Sequence, residues 1–476
     1  MISFKQLPVL VLLRGALWIL AASASSFAAA PQRPPNILLV TCDNLGYLDL
    51  GVQGHPEIRT PNIDRLAAQG VRLTALYAEA TCTVSRAALL TGRYPQRNQL
   101  NIQLLAEPSK RPDADLARWG NMGIGLRHSE KLLPEFLKKA GYATGAFGKW
   151  NLGFAPGSRP TERGFDEYLG IASGNANYYH QTYGRRHDLF QGTEPIKRDG
   201  YYSSDLFADS AIAFIKNHAD KPFFVYLPFN AAHSNGPNNM RPGEETVVWQ
   251  APQKHLDMYG YDPRTNDQRK RYYAVISALD EAFGRVLAAI DNLGLRDNTL
   301  VIFYNDNGVN QSELDPASNG NLRSGRPFVW EGGIRVPGFV RWPGVVPAGA
   351  VCHVPITHRD FFVLALNAAG APLPADRVID GRDPLPALTA RTDRLHDFLC
   401  WDYNGHRAIR QGQYKLVNRA PRSDVWELYD LVNDSGETRD LAAAKPRLAA
   451  ELEGRFRLWQ ESATEEVGPE ALSVQR

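Results

Sequence analysis

The chain has 476 residues, 43% hydrophobic and 22% charged, enough for one large core and a smaller unit. A formal net charge of +2 and the lack of any lysine or arginine run argue against a nucleic-acid partner. Four cysteines are too few for a disulfide scaffold and leave a Cys352–Cys400 pair open.

The first 30 residues read as an export signal. Lys5 lies in a short basic region, residues 7–22 are mostly apolar, and small residues up to Ala30 offer cleavage sites. Arg14 interrupts the apolar run, and no later stretch has the length to cross a bilayer. The expectation is an exported protein, periplasmic or secreted, without a stable membrane span in the mature chain.

Residues 36–41 form an unbroken apolar run, as in a buried parallel strand, and Asp43 and Asn44 follow at its carboxyl end. Open α/β sheets place ligand sites there, although an Asx turn uses the same residues. Thr60 and Pro61 suit the N-cap and first position of a helix that Gly70 ends. A strand over 71–77 then leads to Cys82-Thr83-Val84-Ser85-Arg86, the start of a short apolar helix ended by Gly92. A helix N-terminus there suits an anion; a buried thiol entering a helix is the plainer reading.

A helix over 134–140 and a strand over 143–147 come next, and the strand runs out through Gly148-Lys149-Trp150-Asn151. Lys149 fits a surface lysine or a strand-end cation. Residues 205–216 read as an amphipathic helix, and 222–227 as a buried strand leading to His233. Residues 235–268 lack periodicity and suit a substrate-rim loop, with the glycine-rich 120–125 beside them. Residues 269–290 carry a helical core stripe from Tyr273 to Ile290. A strand over 299–304 ends in Asn305-Asp306-Asn307-Gly308, and Arg326 precedes Trp330-Glu331-Gly332-Gly333. Short strand-like runs over 397–430 and a helix over 445–460 close the chain, and there is no internal repeat.

In this order the phrases resemble those of sulfatases, from about residue 35 to 465. Cys82-x-x-Ser85-Arg86 followed by Leu90-Thr91-Gly92-Arg93 is similar to that family's signature, whose cysteine is oxidised to formylglycine. Four positions depart from the pattern: Asn44 replaces aspartate, Val84 proline, Asn151 histidine and Arg326 lysine. The resemblance implies an α/β fold, with a large mixed, mostly parallel sheet between helices and a smaller C-terminal α+β domain. The expected division is a signal over 1–30, a catalytic domain over 35–390 and a C-terminal subdomain over 391–465.

The resemblance also implies calcium, with magnesium as runner-up, held by Asp43, Asn44, Cys82, Asp306 and Asn307. These are hard oxygen ligands apart from residue 82, and no Cys/His cluster points to zinc. It implies catalytic roles for Cys82, Arg86, Lys149, Asn151, His233 and Arg326. Arg86 would hold the oxygens of the hydrated aldehyde, Lys149 and Arg326 the sulfate, and His233, titrating near working pH, would protonate the leaving alcohol. Asn151 cannot act as the base a histidine would be. The implied substrate is a sulfated small molecule or carbohydrate, and the implied partner a formylglycine-generating enzyme. A phosphate or phosphonate ester hydrolase and a catalytically silent binder of sulfated glycans are the alternatives.

Overall fold

Seven consecutive buried residues, Asn36–Cys42, form the central strand. Ile37 and Leu39 enter one core, and Leu38, Val40 and Cys42 the other. A strand buried on both faces favours apolar residues on both sides, which explains the run Ile37 to Val40, with polar Asn36 and Thr41 at its ends. The structure is a computed structural model that describes residues 33–104, 125–310, 312 and 317–465. The expected signal over 1–30 and most of the glycine-rich 120–125 lie outside the described residues.

Across the large sheet the strands run Ala350–Cys352, Val71–Tyr77, Arg335–Arg341, Thr299–Asn305, Asn36–Cys42, Phe223–Pro228, Ala143–Phe147, Glu167–Ile171, Leu189–Gln191 and Glu194–Pro195, with Ile356–Thr357 also paired to Val71–Tyr77. The strands from Thr299–Asn305 to Glu167–Ile171 are mutually parallel, while Arg335–Arg341 runs against its neighbours. Helices Ser203–Asn217 and Gln268–Asn292 cover one face, and the second buries its expected stripe. Helices Cys82–Thr91, Leu133–Lys139 and Asp360–Ala368 cover the other.

A four-stranded antiparallel sheet of Leu399–Tyr403, His406–Gln411, Tyr414–Asn418 and Trp426–Asp430 follows. One face packs on Tyr77, Val84 and Trp330, the other on helix Pro446–Glu465. The fold is therefore the expected mixed α/β sheet with a C-terminal antiparallel unit. Among the described residues no helix is long and apolar enough to cross a membrane.

Three local expectations change. Thr60 precedes helix Pro61–Ala68, but its hydroxyl donates to Asp64 and accepts from Gly51 N, so it does not cap. The rim segment 235–268 is not all loop, since it contains helix Gln253–Met258 and a single turn at Pro237–Asn239. Cys352 and Cys400 are separate buried thiols, as are Cys42 and Cys82.

Candidate active site

The parallel strands end on one edge of the sheet, and their next residues meet there. Asp43 and Asn44 leave Asn36–Cys42, Lys149 leaves Ala143–Phe147, His233 follows Phe223–Pro228, and Asp306 and Asn307 leave Thr299–Asn305. Helix Cys82–Thr91 starts at the same edge, ended by Gly92 in the left-handed region. Asn44, at φ 57°, adopts a backbone form that asparagine tolerates well.

Cys82 Sγ donates to Asp43 Oδ1 at 3.2 Å, and Lys149 Nζ pairs with Asp43 Oδ2. One helical turn on, Arg86 donates to Asp306 Oδ2 from Nη2 at 2.7 Å and from Nε at 3.0 Å. Arg86 Nη1 donates to Lys149 O at 2.8 Å and lies 3.4 Å from Tyr226 OH. Arg326 Nη1 is 3.2 Å from Asn44 Oδ1 and 3.3 Å from His233 Nε2, while His233 Nδ1 bonds Ser234 O at 2.8 Å. Cys82, Arg86, Lys149 and Asp306 are fully buried, whereas His233 and Arg326 are half-buried and form the solvent side.

Charge follows from this packing. Burial, then the charge of Asp43, pushes the Cys82 thiol up to about 12, so it is a neutral donor. Burial would raise Asp43, but Lys149, His233 and Arg86 outweigh it and hold the carboxyl low. Burial and the neighbouring Asp43 raise Asp306 against the pull of Arg86. For His233 the expectation of titration near working pH is corrected: burial lowers it to about 4, and Lys149 and Arg326 add to the effect.

Asp306 Oδ1 and Asn307 Oδ1 are buried acceptors with no hydrogen-bond donor, an arrangement that calls for a missing partner. With Asp43 and Asn44, whose oxygens accept from Cys82, Lys149, Asn307 and Arg326, they would make a cradle of two carboxylates and two amides, a donor set that fits a hard divalent cation. Asn307 Nδ2 also donates to Asn44 Oδ1 at 2.8 Å, which ties the two phrases together. Ligand atoms of Asp43, Cys82 and His233 also lie within 4.8 Å of one another.

Asn151 is placed differently from a catalytic base. Its Oδ1 accepts from Thr83 Oγ1 at 2.8 Å and Gln103 Nε2 at 3.1 Å, and its Nδ2 donates to Leu104 O at 3.3 Å. The side chain staples residues 103–104 to the start of the Cys82 helix. Gln103, Thr83 and Tyr226 were not foreseen; Tyr226 lies inside a buried strand, and Gln103 sits in a stretch without periodicity.

The sulfatase family model matches residues 35–371. The chain belongs to the sulfatase family. A second model, for the N-sulphoglucosamine sulphohydrolase C-terminal region, matches residues 325–461. Mouse N-acetylgalactosamine-6-sulfatase is 36% identical over 422 residues, covering 84% of this chain and 74% of that protein. Mouse steryl-sulfatase is 30% identical, covering 90% and 82%. The crystal structure of Ps i-CgsB superposes with a TM-score of 0.78 at 29% identity, over 90% of this chain and 93% of the other. This sulfatase is accordingly a sulfuric ester hydrolase.

Proposed function

We propose that this sulfatase is exported and hydrolyses sulfate monoesters of a carbohydrate, with residue 82 acting as formylglycine beside a calcium ion. The observation that carries the reading is the meeting, at one strand edge, of Cys82 with three cations, His233 and two unpartnered buried oxygens. The name of the mouse N-acetylgalactosamine-6-sulfatase, and a solved complex of Ps i-CgsB with k-i-k-neocarrahexaose, favour a carbohydrate over an aryl ester. The phosphoester reading with unmodified Cys82 gains nothing from a buried, neutral thiol.

Asp43, Asn44, Asp306 and Asn307 would hold the cation, which polarises a sulfate oxygen. Oxidised and hydrated, residue 82 would supply two hydroxyls on one carbon, which is the chemistry that attack on sulfur and release of sulfate require. Asp43 Oδ1, to which Cys82 already donates, is the acceptor best placed to take a proton from residue 82. Lys149 and Arg326 would bind sulfate oxygens, compensating charge that grows in the transition state. With His233 Nδ1–H on Ser234 O, Nε2 is the atom left to give a proton to the leaving alcohol. An anion in the pocket favours the protonated imidazole and so opposes the burial that lowers it. Asn151, fully engaged with Thr83, Gln103 and Leu104, would keep the helix start in place.

The backbone at Val84 has room for the proline of the family pattern. It sits within the first turn, whose N–H groups have no helical partner, and the helix ladder begins with Ser85 N on Thr81 O. Val84→Pro is therefore compatible with the helix and should raise the converted fraction if the maturation enzyme reads that position. The test is the mass of the tryptic peptide that contains residue 82, together with turnover of 4-methylumbelliferyl sulfate. Conversion of the –CH₂SH group to –CHO is expected in active protein. Cys82→Ala should lower turnover by at least on the order of 10³-fold with little change in thermal stability. Wild-type turnover in Cys82→Ala would sink the reading.

A further inference from the structure

We propose that Lys415, in the C-terminal antiparallel sheet, is a positioning residue that sets Arg326 and the Asp306–Asn307 pair through the buried carboxylates Glu331 and Glu437. The inference rests on the sulfate-binding role given above to Arg326.

Lys415, Glu331 and Glu437 have side chains wholly closed to solvent. Lys415 Nζ lies 3.0 Å from Glu331 Oε1 and 2.9 Å from Glu437 Oε1, and Glu437 Oε2 accepts from Glu331 N at 2.7 Å. Glu331 Oε2 accepts from Tyr77 OH at 2.8 Å and faces Arg335 at 3.4 Å. Glu331 is thus fixed by side chain and backbone, and two of its anchors come from the C-terminal unit.

The next two residues pass that fixation on. Gly332 N donates to Arg323 O at 2.8 Å and Gly308 N to Gly333 O at 2.9 Å. A Cβ on Gly333 would meet Phe328 O at 2.0 Å and Gly325 O at 2.8 Å, so this backbone lies directly against the turn that carries Arg326. A Cβ on Gly308 would meet Gly332 O at 1.9 Å, so the same segment also abuts the end of the Asp306–Asn307 phrase. Arg323, stacked 3.6 Å over Trp330, reaches Tyr429 OH at 3.0 Å and Glu437 O at 3.2 Å and ties the turn to the C-terminal sheet a second time. A shift of Glu331 must therefore move Arg326 and the cradle together, because neither backbone contact has space to absorb it.

The experiment compares the full-length wild type with Lys415→Met, Arg326→Ala, their double variant, and the charge-balanced Lys415→Met/Glu437→Gln. The last variant keeps the proposal falsifiable if Lys415→Met does not fold. Two quantities are read: amide hydrogen exchange over 323–333, and affinity for inorganic sulfate in calcium buffer by titration calorimetry. Loss of Lys415 should speed exchange in 323–333 at least tenfold while strand Asn36–Cys42 stays protected. It should weaken sulfate binding at least as much as Arg326→Ala, and the double variant should lose less than the sum of the two single losses. A lowered melting temperature with unchanged sulfate affinity and additive effects would overturn the proposal and leave Lys415 a stability residue. Unchanged exchange over 323–333 would overturn it whatever the sulfate result. Faster exchange in Lys415→Met, with a wild type that binds no sulfate, would instead uphold the clamp and count against Arg326 as a sulfate ligand.

Discussion

Two clusters of buried charge flank the same segment of chain, and they are completed differently. At the junction with the C-terminal sheet, Glu331 is met on both oxygens, by Lys415 on one and by Tyr77 and Arg335 on the other, while Glu437 takes Lys415 and Glu331 N. Only the Lys415–Glu437 contact is an ion pair without hydrogen-bond alignment. At the strand edge Asp306 Oδ1, Asn307 Oδ1 and Asn44 Nδ2 find no partner although they are equally buried. The first cluster is closed by the protein's own groups and acts as scaffold. The second has the shortfall of acceptor pairing that a ligand must make up.

The largest expected effect tests the closed cluster. Lys415→Met leaves two buried carboxylates without their shared cation, which should cost roughly 3–5 kcal/mol of stability. Denaturant unfolding with an unchanged m-value is the measurement, and a loss below about 1 kcal/mol would mean that the cluster is not closed as described. Next comes the open cluster. Asn307→Ala removes an oxygen that no protein group uses, together with the two bonds that Nδ2 donates to Asn44 Oδ1 and Gly308 O, so calcium-free stability should fall by about 2 kcal/mol, the worth of two lost hydrogen bonds. Calcium should stabilise the wild type by about 2.7 kcal/mol at a hundred times its dissociation constant, and Asn307→Ala far less. Equal calcium shifts in both proteins would remove Asn307 from the cradle.

A smaller effect concerns the departure at Asn44. Asn44→Asp adds a full charge to the cradle and replaces a buried Nδ2 that has no acceptor. Divalent-ion affinity should rise roughly tenfold, about 1.4 kcal/mol, by calorimetric titration. An equal or weaker affinity would mean that Arg326, which donates to Asn44 Oδ1, already offsets the added charge.

These clusters also mark what the sequence could and could not show. The strand-end phrases were legible because each couples a mostly apolar run to polar residues at its carboxyl end, a local signal with a fixed place in an open sheet. The start of the helix at Cys82 and its stop at Gly92 were legible for the same reason. The pairs that decide charge were not. Arg86 and Asp306 are 220 positions apart, and Lys415 and Glu331 are 84 apart. The bonds that Asn151 Oδ1 accepts from Thr83 and Gln103 were not legible, because they join residues 68 and 48 positions away. His233 was located, but its low basicity depends on burial beside Lys149 and Arg326, which no local pattern encodes.

At pH 6 the smallest effect belongs to a buried histidine on the closed side. His358 is fully buried with Nδ1 3.1 Å from Tyr77 O, and burial, then Arg359, lowers it to about 3. Its folded value lies below the unfolded value near 6.5, so its contribution is intact above that pH and is lost as pH falls towards 3. The loss should be about 1 kcal/mol by pH 6 and grow by about 1.4 kcal/mol per further pH unit until the folded value is reached. Total stability will not show this alone, because Glu79, Asp49 and Asp188 are each raised to about 7 by burial. Those carboxyls bind protons sooner in the folded chain, so they lose stability as pH rises through 4 to 7, the opposite sense. All three are shared by wild type and His358→Asn, so the difference between their two stability curves isolates the histidine. That difference should fall on acidification from pH 8 to 5; a flat difference would show that residue 358 accepts its proton as readily folded as unfolded.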